Sequence, residues 1–330
     1  MRFLRHSQIN PVVLDLGSSM TRIFYRGKLI FVEPSFYAKK IQTNEIVAIG
    51  EMAKKLEISP TMNLLRPIRQ ARIDDVVNLK EYVSYIIGIL KFNGFSLPKK
   101  SPILSYVGLG LSSVERQRWQ KLWRELGSSQ QWLLPQTTVL AMYLAKKYRL
   151  TQASCLDLGE SSSRLVMFVD GMPVYQKEFP WGMSNVQERL DQFLLRENLL
   201  VDEKTSQDIL QNLLSLKNNE RQLSIKVKQG LSRNLTSVRL QASEFKDLIK
   251  REILVLSTWL MDAYALMSHS EKECWENNRV VLVGGGANLD GLASELSATT
   301  NIKVVKGDDA EFAHLLGMES WYEQENKGKE

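Results

Sequence analysis

DLGSSMTRIFYRGKLIF at residues 15–31 and DLGESSSRLVMFVDGMPVY at residues 157–175 are two copies of one pattern in this 330-residue chain. Each copy is typical of a strand that ends in Asp-Leu-Gly, a polar turn, a second strand, a tight turn and a third strand. The copies align without a gap through the polar turn. A chain built twice from one unit usually folds into two similar lobes, so the repeat predicts two facing lobes with a cleft between them.

The composition indicates a folded protein of the reducing cytoplasm. Hydrophobic residues make up 44% and charged residues 24% of the chain, which excludes collagen-like, disordered and disulfide-dense secreted proteins. Cys155 and Cys274 lie too far apart in sequence to suggest a disulfide framework or a metal site. The sequence contains no run of about 18 apolar residues, the length that a membrane-spanning helix requires.

The polar turns of the repeat have the chemistry of phosphate and metal sites. We call Asp15–Ser19 the first corner and Asp157–Ser161 the second corner. Glycine lets the backbone approach an oxyanion, amides and hydroxyls donate hydrogen bonds to it, and the aspartate can hold a hydrated divalent cation. A single DLG is more often an aspartate that caps a turn. Two copies at equivalent positions of a repeat favour the ligand site.

A third glycine-rich segment follows a strand near the end of the chain. We call Gly284–Gly286 the glycine loop. Because glycine has no side chain, such a loop can lie flat against a nucleobase or ribose. The sequence predicts a helix that starts near Asn288, whose N-terminus would face a phosphate. Apolar spacing also predicts helices over residues 75–90 and 205–214.

With these segments in place, the chain resembles the actin-like ATPases, which include actin, DnaK-type chaperones and sugar kinases, and among them the bacterial MreB shape proteins. The resemblance is carried, in the family's order and spacing, by VVLDLGSSMTRIFYRGKLIFVEPS, IVAIGEMAKKL, LLRPIRQARIDDV, VGLGLSSVERQ, CLDLGESSSRLV, VDEKTSQDIL and VVLVGGGANLDGL. It implies an α/β, actin-like two-lobed fold built from duplicated ribonuclease-H-like domains with inserted subdomains. The implied lobes are residues 1–150, with an insertion at about 33–65, and residues 151–330, with an insertion at about 183–242. The C-terminal helix is expected to pack back on the first lobe.

The resemblance also implies ATP and magnesium as ligands. It assigns Asp15 and Asp157 to magnesium, through water. It assigns to the nucleotide Gly17, Ser18, Ser19, Gly159, Glu160, Ser161, Gly284, Gly285 and Gly286.

The chain departs from the family at the residue that positions the attacking water. That residue is a glutamate or glutamine just before a proline, and the matching position here is Leu134, before Pro135. Leucine cannot orient water, and Gln136 could substitute only if the helix start is displaced. We therefore expect hydrolysis to be slow or lost, with Gln136 as the weak catalytic candidate.

Other departures affect nucleotide binding. Glu160 lies in a turn that is glycine-rich in the family, and an anionic side chain beside a phosphate would oppose binding. Met183 stands where the family has an acid, and Gln207 and Leu210 replace the glutamate and lysine that hold the adenosine. These substitutions predict a weakened nucleotide site.

Two segments suggest shallow attachment to a membrane. Phe3 and Leu4 lie beside two arginines, and Phe95 and Leu97 lie in a loop that ends in two lysines. Apolar side chains that enter the acyl region while cations meet anionic head groups give such attachment. The alternatives are a frayed terminus for the first segment and packing of Phe95 and Leu97 in the core for the second.

Several functions remain open at this point. The leading one is a membrane-associated cytoskeletal protein that polymerises and guides cell shape or cell-wall synthesis at the inner face of the plasma membrane. Its expected partners are its own copies, anionic lipid, and cell-shape or envelope-synthesis proteins. The alternative is a non-filamentous membrane adaptor that resembles FtsA-like or PilM-like proteins. The net charge of +6 permits anionic partners, but no aromatic and basic stripe supports nucleic-acid binding.

Overall fold

The protein is described from a computed structural model. It describes residues 10–56, 59–69, 72–73, 75–95, 101–107, 112–126, 128, 130–149, 152–213, 218, 220–229, 235–277 and 279–327. The chain forms two compact units, residues 1–149 with 314–330 and residues 150–313. We call them unit 1 and unit 2.

The strands in chain order are β1 (Val12–Leu16), β2 (Met20–Tyr25), β3 (Lys28–Pro34), β4 (Tyr37–Lys40), β5 (Ile46–Ile49), β6 (Met62–Leu65), β7 (Ile68–Arg69), β8 (Arg72–Ile73), β9 (Ile103–Val107), β10 (Gln131–Pro135), β11 (Gln152–Leu158), β12 (Ser163–Val169), β13 (Met172–Phe179), β14 (Leu199–Leu200), β15 (Gln222–Gln229), β16 (Leu235–Gln241), β17 (Val280–Val283) and β18 (Val304–Lys306). The α-helices are α1 (Gly50–Lys55), α2 (Val76–Phe92), α3 (Ser113–Glu125), α4 (Gln136–Tyr148), α5 (Met183–Arg196), α6 (Glu203–Asp208), α7 (Ala242–Leu266), α8 (His269–Asn277), α9 (Leu292–Thr300) and α10 (Ala313–Lys327).

Both units contain a five-stranded sheet with the same topology. The strand order is β3-β2-β1-β9-β10 in unit 1 and β13-β12-β11-β17-β18 in unit 2. In each sheet the first three strands are antiparallel, and the last two run parallel to the strand that ends in Asp-Leu-Gly. The repeat in the sequence is therefore a repeat of the sheet.

Unit 1 carries a small three-stranded sheet between β3 and α2. Its order is β5-β4-β6, with α1 following β5. A separate apolar cluster lies in this region, built around Phe36, Ala38, Ala48 and Ala53. Lys39, on β4, is almost fully buried and ties the small sheet to α2 through Asn78 Oδ1 at 2.7 Å and Glu81 Oε2 at 2.6 Å. Burial of an unpaired ammonium costs free energy, and these two contacts offset that cost.

Unit 2 carries the corresponding small sheet between β13 and α7. Its order is β14-β15-β16, and it packs into the main apolar core of the unit. The helix predicted over residues 205–214 is only partly correct, because α6 covers Glu203–Asp208 and a π-helical turn continues over Ile209–Leu213. Ile209 and Leu213 are buried in the core of the unit. We attribute the π-helical turn, which is wider than an α-helical turn, to the packing of these two side chains.

Helix ends in unit 1 follow their local sequence. The helix predicted over residues 75–90 is present as α2, and the Asp75 side chain accepts hydrogen bonds from the backbone N–H groups of Val77 and Asn78. Ser112 and Glu115 form a capping box at the start of α3. Within the described residues, no helix combines the length and the apolar character that crossing a bilayer requires.

Candidate functional site

The two corners have the same backbone turn. The N–H of Gly17 donates to the carbonyl of Met20, and the N–H of Gly159 donates to the carbonyl of Ser162, each at 3.0 Å. A Cβ added at Gly17 would lie 3.0 Å from that carbonyl oxygen, and one at Gly159 would lie 2.8 Å from its own. Both glycines therefore suit the tight turn itself, and their approach to a phosphate stays a prediction.

A network of buried hydroxyl groups is hydrogen-bonded to the backbone of the first corner. Ser35 donates from Oγ to the carbonyl of Gly17 at 2.7 Å and from its backbone N–H to the carbonyl of Ser19 at 2.8 Å. Thr21 Oγ1 lies 2.9 Å from Ser35 Oγ, and the Tyr82 hydroxyl donates to Thr21 Oγ1 at 3.0 Å. Burial raises the pKa of Tyr82 far above its ordinary value, so the phenol stays protonated as a donor.

Arg66 is a contact of the first corner that sequence reasoning missed. Its Nη1 donates to the carbonyl of Ser18 at 3.0 Å. Its guanidinium carbon lies 4.2 Å from the centre of the Phe36 ring, a cation–π distance. The only sequence signal was that Arg66 falls in one of the stretches that carry the family resemblance.

Asp15 lies at the end of β1 in a crowded polar environment. It is only 4% exposed. Its Oδ1 accepts a hydrogen bond from the Tyr106 hydroxyl at 2.9 Å, and its Oδ2 lies 3.4 Å from Arg22 Nη1. Arg22 is the residue directly opposite Asp15 on β2. Both carboxylate oxygens thus face donors supplied by the chain itself.

Leu134 and Gln136 lie near the same end of the sheet. Leu134 pairs with Tyr106 in the β9–β10 register and is 5% exposed. Gln136 Nε2 lies 2.9 Å from His314 Nε2, and both residues are buried. The His314 ring stacks on Tyr106 with centroids 4.4 Å apart. Gln136, the weak catalytic candidate, therefore packs against α10, and its catalytic role stays a prediction.

The second corner and the glycine loop meet within unit 2. A Cβ added at Gly284 would lie 2.6 Å from Asp157 Oδ1 and 2.5 Å from the carbonyl oxygen of Leu158. Gly284 has φ +82° and ψ 172°, a conformation that glycine adopts almost alone. Gly286 likewise packs tightly on Leu158, whereas a Cβ on Gly285 would meet no atom within 4 Å. Gly285 therefore presents open backbone.

The helix after the glycine loop begins later than the sequence predicts. A single 3₁₀ turn covers Gly285–Asn288, and α9 begins at Leu292. The predicted helix start near Asn288 is therefore wrong, because Gly291, with φ +85°, separates the turn from the helix. The backbone groups of the glycine loop therefore belong to a short 3₁₀ turn and not to the N-terminus of a long helix.

The start of α5 is hydrogen-bonded to the backbone of the second corner. The N–H groups of Met183 and Ser184 donate to the carbonyls of Gly159 and Glu160 at 3.0 and 2.8 Å. A Cβ added at Gly182 would lie 2.2 Å from the Glu160 carbonyl oxygen. Gly182 is thus a further residue that the corner needs. Met183 is half-buried and packs against the unit 2 core.

The predicted membrane residues are only partly described. Phe3, Leu4 and Leu97 lie outside the described residues. Phe95 is half-buried and meets Tyr25 edge to face, with ring centroids 5.4 Å apart. This contact favours the core-packing alternative for Phe95, while Phe92, the last residue of α2, is 92% exposed.

The contacts of Asp15 bear on the predicted magnesium site. Magnesium requires oxygen ligands or waters that are held by them. The Asp15 oxygens instead accept from Tyr106 and pair with Arg22. Over the described part of the chain, no group of three or more His, Cys, Asp or Glu side chains could hold a metal ion. The assignment of Asp15 and Asp157 to magnesium stays a prediction.

The fold matches solved structures along nearly its whole length. The crystal structure of MreB 5 of Spiroplasma citri bound to AMPPNP aligns with a TM-score of 0.87 at 16% identity, over 97% of this chain and 98% of that one. The structure of the same protein bound to ADP aligns with a TM-score of 0.86 and the same coverage. The chain thus has the actin-like fold, which confirms the predicted fold class.

Sequence comparisons give the family. The cell shape-determining protein MreB of Escherichia coli is 22% identical over 314 residues, covering 91% of this chain and 89% of that protein. The protein of the same description from Pasteurella multocida is 22% identical over 321 residues. The family model of the MreB/Mbl protein matches residues 9–330. The chain belongs to the MreB/Mbl family, which confirms the resemblance to MreB shape proteins.

Proposed function

We propose that this chain is a nucleotide-binding, actin-like cytoskeletal protein that assembles into filaments at the inner face of the plasma membrane and guides cell shape or cell-wall synthesis. The observation that carries the proposal is the repeated corner, present in both units with the same glycine turn. The names of the relatives, cell shape-determining proteins, support the cellular role. The binding of AMPPNP by the Spiroplasma citri protein supports the ligand.

The nucleotide site is proposed at the corners and the glycine loop. Backbone N–H groups in tight turns donate to phosphate oxygens without any side chain. Gly285 supports contact with the adenosine because nothing lies within 4 Å of the Cβ it lacks. The proposed contacts are the residues assigned from the sequence, Gly17, Ser18, Ser19, Gly159, Glu160, Ser161 and Gly284–Gly286.

Hydrolysis is proposed to be slow. Leu134 occupies the position where the family has the residue that orients water, and its side chain is buried beside Tyr106. Gln136 is an unconvincing replacement because its amide is engaged with His314. A filament built from such subunits would retain its nucleotide and turn over slowly.

Leu134→Glu should raise phosphate release from ATP by about a hundredfold, the lower end of the range that a positioned base supplies. The measurement is phosphate release under single turnover at saturating ATP. Leu134→Gln is the matched variant, because glutamine is as long as glutamate and can orient water without carrying a charge. A wild-type rate equal to that of Leu134→Glu would mean that another residue orients the water.

Membrane contact is proposed for the end of α2 and the loop that follows it. Phe92 is the most exposed of the large apolar side chains described, and Lys91 precedes it. Burial of one phenylalanine in the acyl region contributes about 2 kcal/mol, which gives only weak, reversible binding. Assembly into filaments would add avidity, since many weak contacts then act together.

Sedimentation of the full chain tests assembly and membrane contact together. We expect ATP and AMPPNP to raise the pelleted fraction equally, because hydrolysis is slow. Vesicles with anionic lipid should carry more protein than neutral vesicles, and Phe92→Ser should lower the binding constant by about thirtyfold, the equivalent of about 2 kcal/mol, while assembly in solution continues. Exposed Gln117→Ser on α3 is the matched control.

The same assay distinguishes the proposed function from its alternatives. Saturable nucleotide binding without pelleting would overturn the filament and favour the non-filamentous adaptor. Equal binding of Phe92→Ser and the parent to anionic vesicles would overturn the membrane contact at α2.

A further inference from the structure

The backbone carbonyl groups of the two corners accept hydrogen bonds at equivalent positions. In the second corner, the carbonyls of Gly159 and Glu160 accept from the first two N–H groups of α5, at 3.0 and 2.8 Å. The equivalent residues of the first corner are Gly17 and Ser18, and their carbonyls also accept hydrogen bonds. The same two carbonyls are therefore held in both units, although the donors differ.

Side chains supply the donors at the first corner. Ser35 donates from Oγ to the carbonyl of Gly17 at 2.7 Å. Arg66 donates from Nη1 to the carbonyl of Ser18 at 3.0 Å. At the Ser18 carbonyl, Arg66 thus takes the place that a backbone N–H of α5 has at the second corner.

The Arg66 contact fixes the direction of the next backbone N–H group. In a planar trans peptide unit, the C=O and the N–H point in opposite directions. The carbonyl of Ser18 and the N–H of Ser19 belong to one peptide unit, so the N–H points away from the Arg66 guanidinium. The start of α5 orients the N–H of Ser161 in the same way. Backbone N–H groups of successive turn residues are typical donors to phosphate oxygens.

The Arg66 guanidinium is itself held by its surroundings. Arg66 directly follows β6 of the small sheet and is half-buried. Its guanidinium carbon lies 4.2 Å from the centre of the Phe36 ring. Phe36 is buried in the apolar cluster of the same small sheet. A planar guanidinium that stacks on an aromatic ring has a defined orientation, so the donor to Ser18 is preorganised.

We propose that Arg66 is a positioning residue for phosphate binding, because it holds the Ser18–Ser19 peptide unit with the Ser19 N–H directed towards a phosphate oxygen of the nucleotide. The inference rests on the proposed function and adds that Arg66 makes the site selective for phosphorylated nucleosides. A hydrogen bond from a charged donor is stronger than one between neutral groups. Without it, the peptide unit can rotate and the phosphate loses a donor, whereas the contacts proposed between the adenosine and the glycine loop do not involve Arg66.

The experiment measures the affinities of the full chain for ATP and for adenosine by calorimetry. Arg66→Met removes the donor but retains an unbranched side chain that can pack on the Phe36 ring. It should weaken ATP binding by at least about tenfold and change adenosine binding by less than about twofold. Arg66→Lys keeps a charged donor and should recover part of the ATP affinity. Arg116→Met, at an exposed site on α3, is the matched control and should change neither affinity.

A measurement on the wild type keeps the test decisive even where Arg66→Met fails to fold, which thermal unfolding by circular dichroism would reveal. Hydrogen exchange at the Ser19 amide, followed by NMR, should be slower with ATP than with adenosine. The reason is that a phosphate oxygen would accept the hydrogen bond from that N–H, and adenosine has no phosphate.

Three results would overturn the inference. The first is an ATP affinity of folded Arg66→Met within about twofold of the wild type. The second is an equal loss of ATP and adenosine affinity, which would mean a general structural role for Arg66. The third is exchange at the Ser19 amide that ATP leaves unchanged. Absence of saturable ATP binding by the wild type is a different result, because it would remove the proposed nucleotide site itself.

Discussion

Gly284→Ala should lower the free energy of unfolding of unit 2 by about 3–5 kcal/mol and abolish nucleotide binding. The backbone of Gly284, at φ +82° and ψ 172°, costs a residue with a Cβ about 1–3 kcal/mol. The added Cβ would also lie 2.5 Å from the carbonyl oxygen of Leu158, a backbone atom of β11 that cannot rotate away. Overpacking of this kind costs a further 1–3 kcal/mol or so.

The measurement is urea unfolding followed by circular dichroism, with nucleotide affinity on the folded protein. Gly285→Ala is the matched control, since the neighbouring Cβ would meet no atom within 4 Å. We expect its free energy of unfolding to change by less than about 1 kcal/mol. Its affinity for nucleotide should still fall if Gly285 contacts the adenosine. Equal stability of the two variants would contradict the packing of the glycine loop on Leu158.

Gly317→Ala should destabilise unit 1 by about 2–3 kcal/mol. A Cβ at Gly317, in α10, would lie 2.0 Å from the carbonyl oxygen of Val139 in α4. The two helices must separate to admit it, and this overpacking exceeds the gain of about 1 kcal/mol from replacing glycine in a helix. Because His314 lies one turn before Gly317, its contacts with Gln136 and Tyr106 should also loosen.

Tryptophan signals provide a direct measurement of that separation. The rings of Trp132 on β10 and Trp321 on α10 lie 5.2 Å apart, so near-ultraviolet circular dichroism should change as α10 moves. Gly88→Ala in α2 is the control, since its Cβ would meet no atom within 4 Å. It should stabilise the protein by about 0.5–1 kcal/mol through helix propensity alone. An unchanged spectrum and stability for Gly317→Ala would contradict the α4–α10 contact.

The repeated hairpin and its glycines could be predicted from local sequence. Asp-Leu-Gly followed by a short polar turn sets the pairing of the two strands, so Asp15 meets Arg22 and Asp157 meets Arg164. The helix cap at Asp75 was equally local. Such features depend on backbone geometry and hydrogen bonds within a few residues, which a sequence pattern states directly.

The contacts of the candidate functional side chains could not be predicted in the same way, because they join residues far apart in the chain. Gln136 contacts His314, 178 residues away, and Asp15 contacts Tyr106, 91 residues away. Phe95 packs on Tyr25, a distant residue in the chain, although the sequence of its loop predicts a membrane contact. Burial makes each of these contacts strong, and burial is set by which distant elements pack together rather than by neighbours along the chain.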